Sequence, residues 1–133
     1  MKRPKLLGIG GAHVDRRGRM NAPYIPGASI PGTMQEETGG GVFNALRAAV
    51  QFGVSGSLIS ARGGDSAGDA VAAEAKRAAI EDLSSTFLDR NTASYTALLD
   101  MHGDVAAALA DMAIYETALP RIITRRMSRD AIA

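Results

Sequence analysis

The sequence predicts an α/β fold organised around a mainly parallel sheet. Three observations carry this expectation. Short apolar runs at Leu6 to Ile9 and Val54 to Ser60 have the length of buried strands. Amphipathic stretches follow Gly39-Gly40-Gly41 and Asp65-Ser66. Strand-like and helix-like segments then alternate, which is the pattern of helices packed on a parallel sheet.

Each element has a local reason. Leu6 to Ile9 ends in Gly10-Gly11, so a tight turn follows the first strand. From Asp15 to Thr38 the pattern is irregular and carries Pro23, Pro26 and Pro31. Proline removes a ladder donor, so this segment predicts short or edge strands that protrude from the core. After the glycine triplet, Val42, Leu46, Ala49 and Val50 recur at helical spacing, and Gly53 suits the end of that helix. Asp65-Ser66 caps a second helix through Ala70, Val71, Ala75 and Ala78-Ala79, with Glu74, Lys76 and Arg77 on its polar face. Ser84 to Leu88 is a short strand. Ser94 to Asp100 and Val105 to Ala110 flank the turn His102-Gly103-Asp104 and predict a hairpin. From Tyr115 onward the chain reads as a helix whose start is constrained by Pro120, and it ends at Ala133 without a further strand.

With 133 residues, 46% hydrophobic and 22% charged, the chain has the size and balance of one globular domain. The net charge of +1 gives no concentrated basic face for nucleic acid or a membrane surface. The clusters Arg16-Arg17-Gly18-Arg19 and Arg121 to Arg129 are too short to change this expectation. The chain contains no cysteine, which excludes disulfides and thiolate catalysis, and only two histidines, His13 and His102, so no metal site is predicted. The basic start Met1 to Lys5 precedes an apolar run too short for a signal peptide, and a cytoplasmic protein is expected.

Chemistry concentrates at three glycine-rich turns. In Gly39-Gly40-Gly41-Val42-Phe43-Asn44 the glycines allow close backbone approach, and the helix start offers N–H donors. Asn44 can both donate to and accept from a hydroxyl, which suits a polyol. A plain flexible turn would have the same composition. In Gly8 to Asp15, the carboxylate of Asp15 follows a strand end, where open α/β sheets bind ligands. It reads equally as a solvated turn aspartate, and His13 reads as a loop or pocket-wall residue. The dinucleotide fingerprint fails because His13 stands where its last glycine would be. Gly63-Gly64-Asp65-Ser66-Ala67-Gly68 lacks the lysine of a phosphate loop, so Asp65 is expected to cap a helix. Met112 and Met127 are read as core filler.

In register, these elements resemble the PfkB/ribokinase family of carbohydrate kinases from about Leu6 to about Pro120. Gly39-Gly40, Asn44, Gly53 and Gly63 keep the spacing of that family's amino-terminal signature, and Gly63 to Gly68 resembles its glycine–x–aspartate–x–x–glycine turn. Val42 and Leu46 depart from it, standing where smaller residues are preferred, and His13 stands where many relatives have asparagine. Within the family, Ile9 to Asp15, Thr92 to Tyr95, Leu99-Asp100, Gly103-Asp104 and Ala108 to Met112 are most similar to pseudouridine kinases.

The resemblance implies a ribokinase-like fold with a mainly parallel central sheet flanked by helices and a small protruding β-lid at about 15–38. It implies that Asp15, Gly40, Gly41 and Asn44, with His13 beside them, contact substrate hydroxyls. It also implies a homodimer through the lid, with Ile25 and Ile30 as apolar contacts. The cofactors implied are ATP and Mg²⁺, held mainly by a carboxyl-terminal half that contributes a glycine–alanine–glycine–aspartate motif. No such motif occurs in residues 1–133; Ser66-Ala67-Gly68-Asp69 ends similarly but belongs to the upstream turn, so Asp69 is not assigned as the base. The expectation is therefore the truncated, substrate-binding part of a sugar or nucleoside kinase, inactive alone and with apolar surface exposed. The alternatives are a non-catalytic polyol- or nucleoside-binding module, or a dimerising remnant.

Overall fold

A computed structural model describes residues 2–130, with side chains described through residue 125. The element order is β1 (Lys5–Ile9), β2 (His13–Met20), β3 (Gly32–Gly39), α1 (Gly41–Gln51), β4 (Ser55–Ile59), β5 (Ala61–Gly63), α2 (Ser66–Arg77), β6 (Glu81–Asp82), β7 (Ser85–Phe87), β8 (Ser94–Leu99), β9 (Val105–Asp111), α3 (Ala113–Thr117) and α4 (Leu119–Asp130). The parallel part is two small sheets, β1-β4-β6 and β5-β7. A third sheet, ordered β3-β2-β8-β9, is mixed: β2 runs antiparallel to β3 and parallel to β8, and β8 and β9 form the expected hairpin.

Two apolar clusters hold these layers. On one side Phe43 and Leu46 of α1 and Val71 and Ala75 of α2 pack on Leu58, Ala12 and Val14. On the other, Ile114 of α3, Ile122 of α4 and Ala118 between them pack on Ile59, Ala61 and Ala93. Met112 packs against this second cluster as filler, whereas the Met127 side chain, with those of Arg126 and Arg129, lies outside the described residues. Coverage is incomplete over β1: Leu6, Leu7 and Ile9 are exposed, and among the described residues the strand pairs only with β4.

Two expectations are corrected. The segment 15–38 does not hold only short or edge strands. β2 and β3 pair over eight positions, His13↔Gly39 to Met20↔Gly32, and β2 is an internal strand. The reason is that Pro23, Pro26 and Pro31 all fall in the connection between β2 and β3, so none of them removes a ladder donor from β2. The final helix is also not one piece. It starts at Ala113, breaks at Ala118 and restarts at Leu119, which places Pro120 in the first turn of α4, where its missing N–H costs least. The chain end, 131–133, lies outside the described residues.

Candidate functional site

Alternation along β2 divides its side chains between two faces. Val14 points into the core beneath α1 and α2. His13, Asp15 and Arg17 point to the opposite face, so Asp15 and His13 stand on a strand rather than in the loop the sequence suggested. Asp15 is opposite Glu37 on β3 and Tyr95 on β8. A cavity of about 460 Å³ on this face is lined by Asp15, Arg17, Gln35, Glu37, Tyr95 and Ala97 together with Arg16 and Glu36. That volume is in the range of small-ligand sites. Carboxylates can only accept hydrogen bonds and the two arginines can only donate, so the lining complements a ligand rich in hydroxyls.

One Asp15 oxygen, Oδ1, is 3.1 Å from His13 Nε2. The other, Oδ2, lies against the backbone of Gly39, where a Cβ would overlap it. Gly40 follows with φ 105° as the residue that caps α1, and a Cβ on it would overlap the carbonyl of Gly11. The Asn44 N–H donates to Gly40 O at 2.9 Å, and the Phe43 N–H donates to Gly11 O at 3.2 Å. The structure thus brings Asp15, His13, Gly39 and Gly40 together at one junction. Gly41 and Asn44 lie next to it at the start of α1, both exposed. Asn44 lines neither this cavity nor the one on the opposite face. Its Oδ1 accepts from Arg47, which also reaches Thr38 O at 3.3 Å and stacks over the Phe43 ring at 4.8 Å.

The opposite face has a cavity of about 510 Å³ between the lid strands, α1 and α2. Its charges compensate one another: Arg16 pairs with Glu36 at 2.5 Å, and Glu74 is shared by Arg47 at 3.7 Å and Arg77. Arg19 donates to Met101 O at 3.3 Å, so two of the arginines in the 16–19 cluster brace the lid. Asp65 caps α2 as expected, accepting from the Gly68 N–H at 2.9 Å. Among the described residues, no three His, Cys, Asp or Glu side chains gather as metal ligands, and no helix is long and apolar enough to cross a membrane.

Sequence reasoning missed Tyr115. Its hydroxyl accepts from the Ala12 N–H at 3.0 Å and lies 3.5 Å from His13 Nδ1. One tyrosine on an amphipathic helix carries no sign that it will meet a turn about a hundred residues away. Burial, with the Asp15 carboxylate adding to it, pushes the phenol up to about 12. Because the folded state holds this proton more tightly than the unfolded chain, its contribution is complete below pH ~10 and is lost as pH rises toward 12. Alkaline titration followed by circular dichroism should show stability falling by roughly 2 kcal/mol across that window. Tyr115→Phe should remove this portion of the slope.

No family model and no curated protein matches the chain. Solved structures do. A carbohydrate kinase from Agrobacterium tumefaciens is 48% identical, with a TM-score of 0.88, covering 97% of this chain and 42% of its own. A protein from Clostridium perfringens, designated a candidate sugar kinase, is 28% identical with a TM-score of 0.84, covering 96% and 41%. An Arabidopsis thaliana ribokinase, solved with ribose and ATP, is 20% identical with a TM-score of 0.70, covering 84% and 36%, and this likeness bears on the fold alone. Parallel strands under α1 and α2, a lid sheet carrying Asp15, and near-complete superposition on part of these proteins agree: the chain has a ribokinase-like α/β fold and spans about two fifths of the length of the kinases it matches.

Proposed function

We propose that the chain is the substrate-binding side of a PfkB-type kinase, which transfers the γ-phosphate of ATP to a hydroxyl of a sugar or nucleoside. The observation that carries this reading is the Asp15 carboxylate, set against Gly39 at the rim of a polar cavity, in a chain 48% identical to a carbohydrate kinase. In this reading Asp15 accepts two substrate hydroxyls, the backbone of Gly40 and Gly41 approaches the ligand, and Asn44 turns from Arg47 to bind a third hydroxyl. Pseudouridine ranks above a free sugar because of the segments from Ile9 to Asp15 and Thr92 to Met112. Among the described residues no glycine-rich turn carries the lysine of a phosphate loop, and in this reading ATP and Mg²⁺ are held mainly by a carboxyl-terminal half, where they would supply the phosphoryl group and neutralise its charge. The lid face opposite the cavity groups Gly18 with the exposed Met34, Leu98 and Leu109, which supports pairing with a second copy through the lid.

Calorimetry of the 133-residue chain with D-ribose, pseudouridine and adenosine tests this proposal. Binding heat is expected with at least one of them, weakened at least tenfold by Asp15→Asn and by Asn44→Ala, with no ATP-dependent phosphorylation of any. Heat from none of the three, or full affinity in Asp15→Asn, would remove the assignment.

A further inference from the structure

We infer that Tyr115 and His13 form a positioning relay that fixes the orientation of the Asp15 carboxylate, an inference that rests on reading Asp15 as the substrate carboxylate. Three contacts run in one direction. The Ala12 N–H donates to Tyr115 Oη at 3.0 Å, Tyr115 Oη lies 3.5 Å from His13 Nδ1, and His13 Nε2 lies 3.1 Å from Asp15 Oδ1. The proton positions follow from the chemistry of each group. An ionised carboxylate can only accept, so Nε2 must carry the imidazole proton. In a neutral ring Nδ1 is then an acceptor, and the phenol, already accepting from Ala12, turns its hydrogen toward it, with the buried Ser60 hydroxyl as the other neighbour of Tyr115 Oη.

The ends of the relay are fixed. Ala12 is fully buried, and Tyr115 is carried by α3 immediately after the β8–β9 hairpin, so its ring meets the imidazole at a tilt of 54°. The His13 side chain is 14% exposed, against 35% for Asp15, so the imidazole is screened from water and the carboxylate is open to a ligand. Holding Oδ1 on His13, with Oδ2 against Gly39, sets the carboxylate plane before any polyol arrives. Such preorganisation removes an ordering cost from binding. The relay also makes the grip on a ligand depend on α3, an element from the other end of the described chain.

The test combines nitrogen-15 imidazole NMR with binding of D-ribose to the 133-residue chain. His102 is the only other histidine, so His102→Gln assigns the His13 signals. In the neutral ring His13 is expected as the Nε2–H tautomer, held by Asp15, and Tyr115→Phe should shift the Nδ1 resonance, which loses its phenol donor, while the tautomer stays in place. D-Ribose affinity should fall about fivefold in Tyr115→Phe and at least tenfold in His13→Ala. His13→Gln, whose amide can still donate to Asp15, should recover part of the loss, a rescue that a merely space-filling role would not give. Amide spectra report whether each variant folds, and His13→Gln against His13→Ala keeps the test open should Tyr115→Phe not fold. A wild-type Nδ1–H tautomer, or Tyr115→Phe with unchanged Nδ1 resonance and affinity, would overturn the relay. If wild type binds no ribose while the tautomer pattern is as expected, the substrate reading fails for ribose and the relay stands.

Discussion

Replacing Asp65 with alanine is expected to lower the stability of the chain by about 2–3 kcal/mol, read as a lower urea midpoint with an unchanged slope. The carboxylate accepts three hydrogen bonds: from the Gly68 N–H at 2.9 Å, the Thr92 N–H at 2.9 Å and the Thr92 hydroxyl at 2.5 Å. The first caps α2, and losing a cap costs about 1 kcal/mol. The other two fasten the entry of β8 to the start of α2. Thr92 is buried, so its N–H would be left without a partner at a further cost of about 1–3 kcal/mol, reduced where water can enter beside Asp65. The Thr92 hydroxyl, in turn, accepts from the Gly63 N–H at 2.8 Å. Gly63 and Gly68 are needed for this approach, because a Cβ on either would overlap backbone carbonyls. The glycine–x–aspartate–x–x–glycine turn therefore joins core to lid sheet. Its pH dependence has a definite sign. Burial opposes ionisation of Asp65, but the hydrogen bonds from Thr92 and Gly68 outweigh it and hold the carboxyl below its ordinary value. This contribution is complete above pH ~4 and is lost as pH falls through the folded value. Asp65→Asn should flatten that acid limb.

Gly40→Ala should be as damaging, at about 3 kcal/mol or loss of the folded state, while Gly41→Ala next to it should be neutral or slightly stabilising. Gly40 has φ 105° and ψ 138°, a sparsely populated conformation costing an L-residue about 1–3 kcal/mol, and a Cβ on it would overlap Gly11 O. That carbonyl cannot easily retreat, since it accepts the N–H of Phe43, which is fully buried. At Gly41 nothing lies within 4 Å of an added Cβ, and the residue opens α1, where alanine is the better helix former by up to about 1 kcal/mol. Thermal melts of the two variants distinguish these cases. Polyol affinity lost in Gly41→Ala would report contact with ligand rather than damage to the fold.

What could be read from the sequence and what could not divides by distance along the chain. The turn at Gly10-Gly11, the glycine-led start of α1, the Asp65 cap and the β8–β9 hairpin are near-neighbour features. Dihedral preference, capping and period-two alternation act within a few residues, so the residues themselves specify them. The prolines of 21–31 misled for the same reason: their local meaning was correct, but it applied to a connection, and the strands on either side carried their own pairing.

Tertiary structure alone decided which of these pieces meet. Residues 12–15, 92 and 115 carry no local signal for one another. Yet Tyr115 reaches Ala12 and His13 across 103 and 102 positions, and Thr92 reaches Asp65 across 27. The β8–β9 hairpin could have paired on either edge of several strands. It lies parallel to β2, Val14↔Ser94 to Arg19↔Leu99, with Ala12 and Val14 buried in the first core cluster and Ala93 in the second. Side-chain type determined what each residue could donate, accept or bury. Which partner completed it was settled only when burial of those two apolar clusters fixed the layers in space, because that burial is collective and belongs to no single segment.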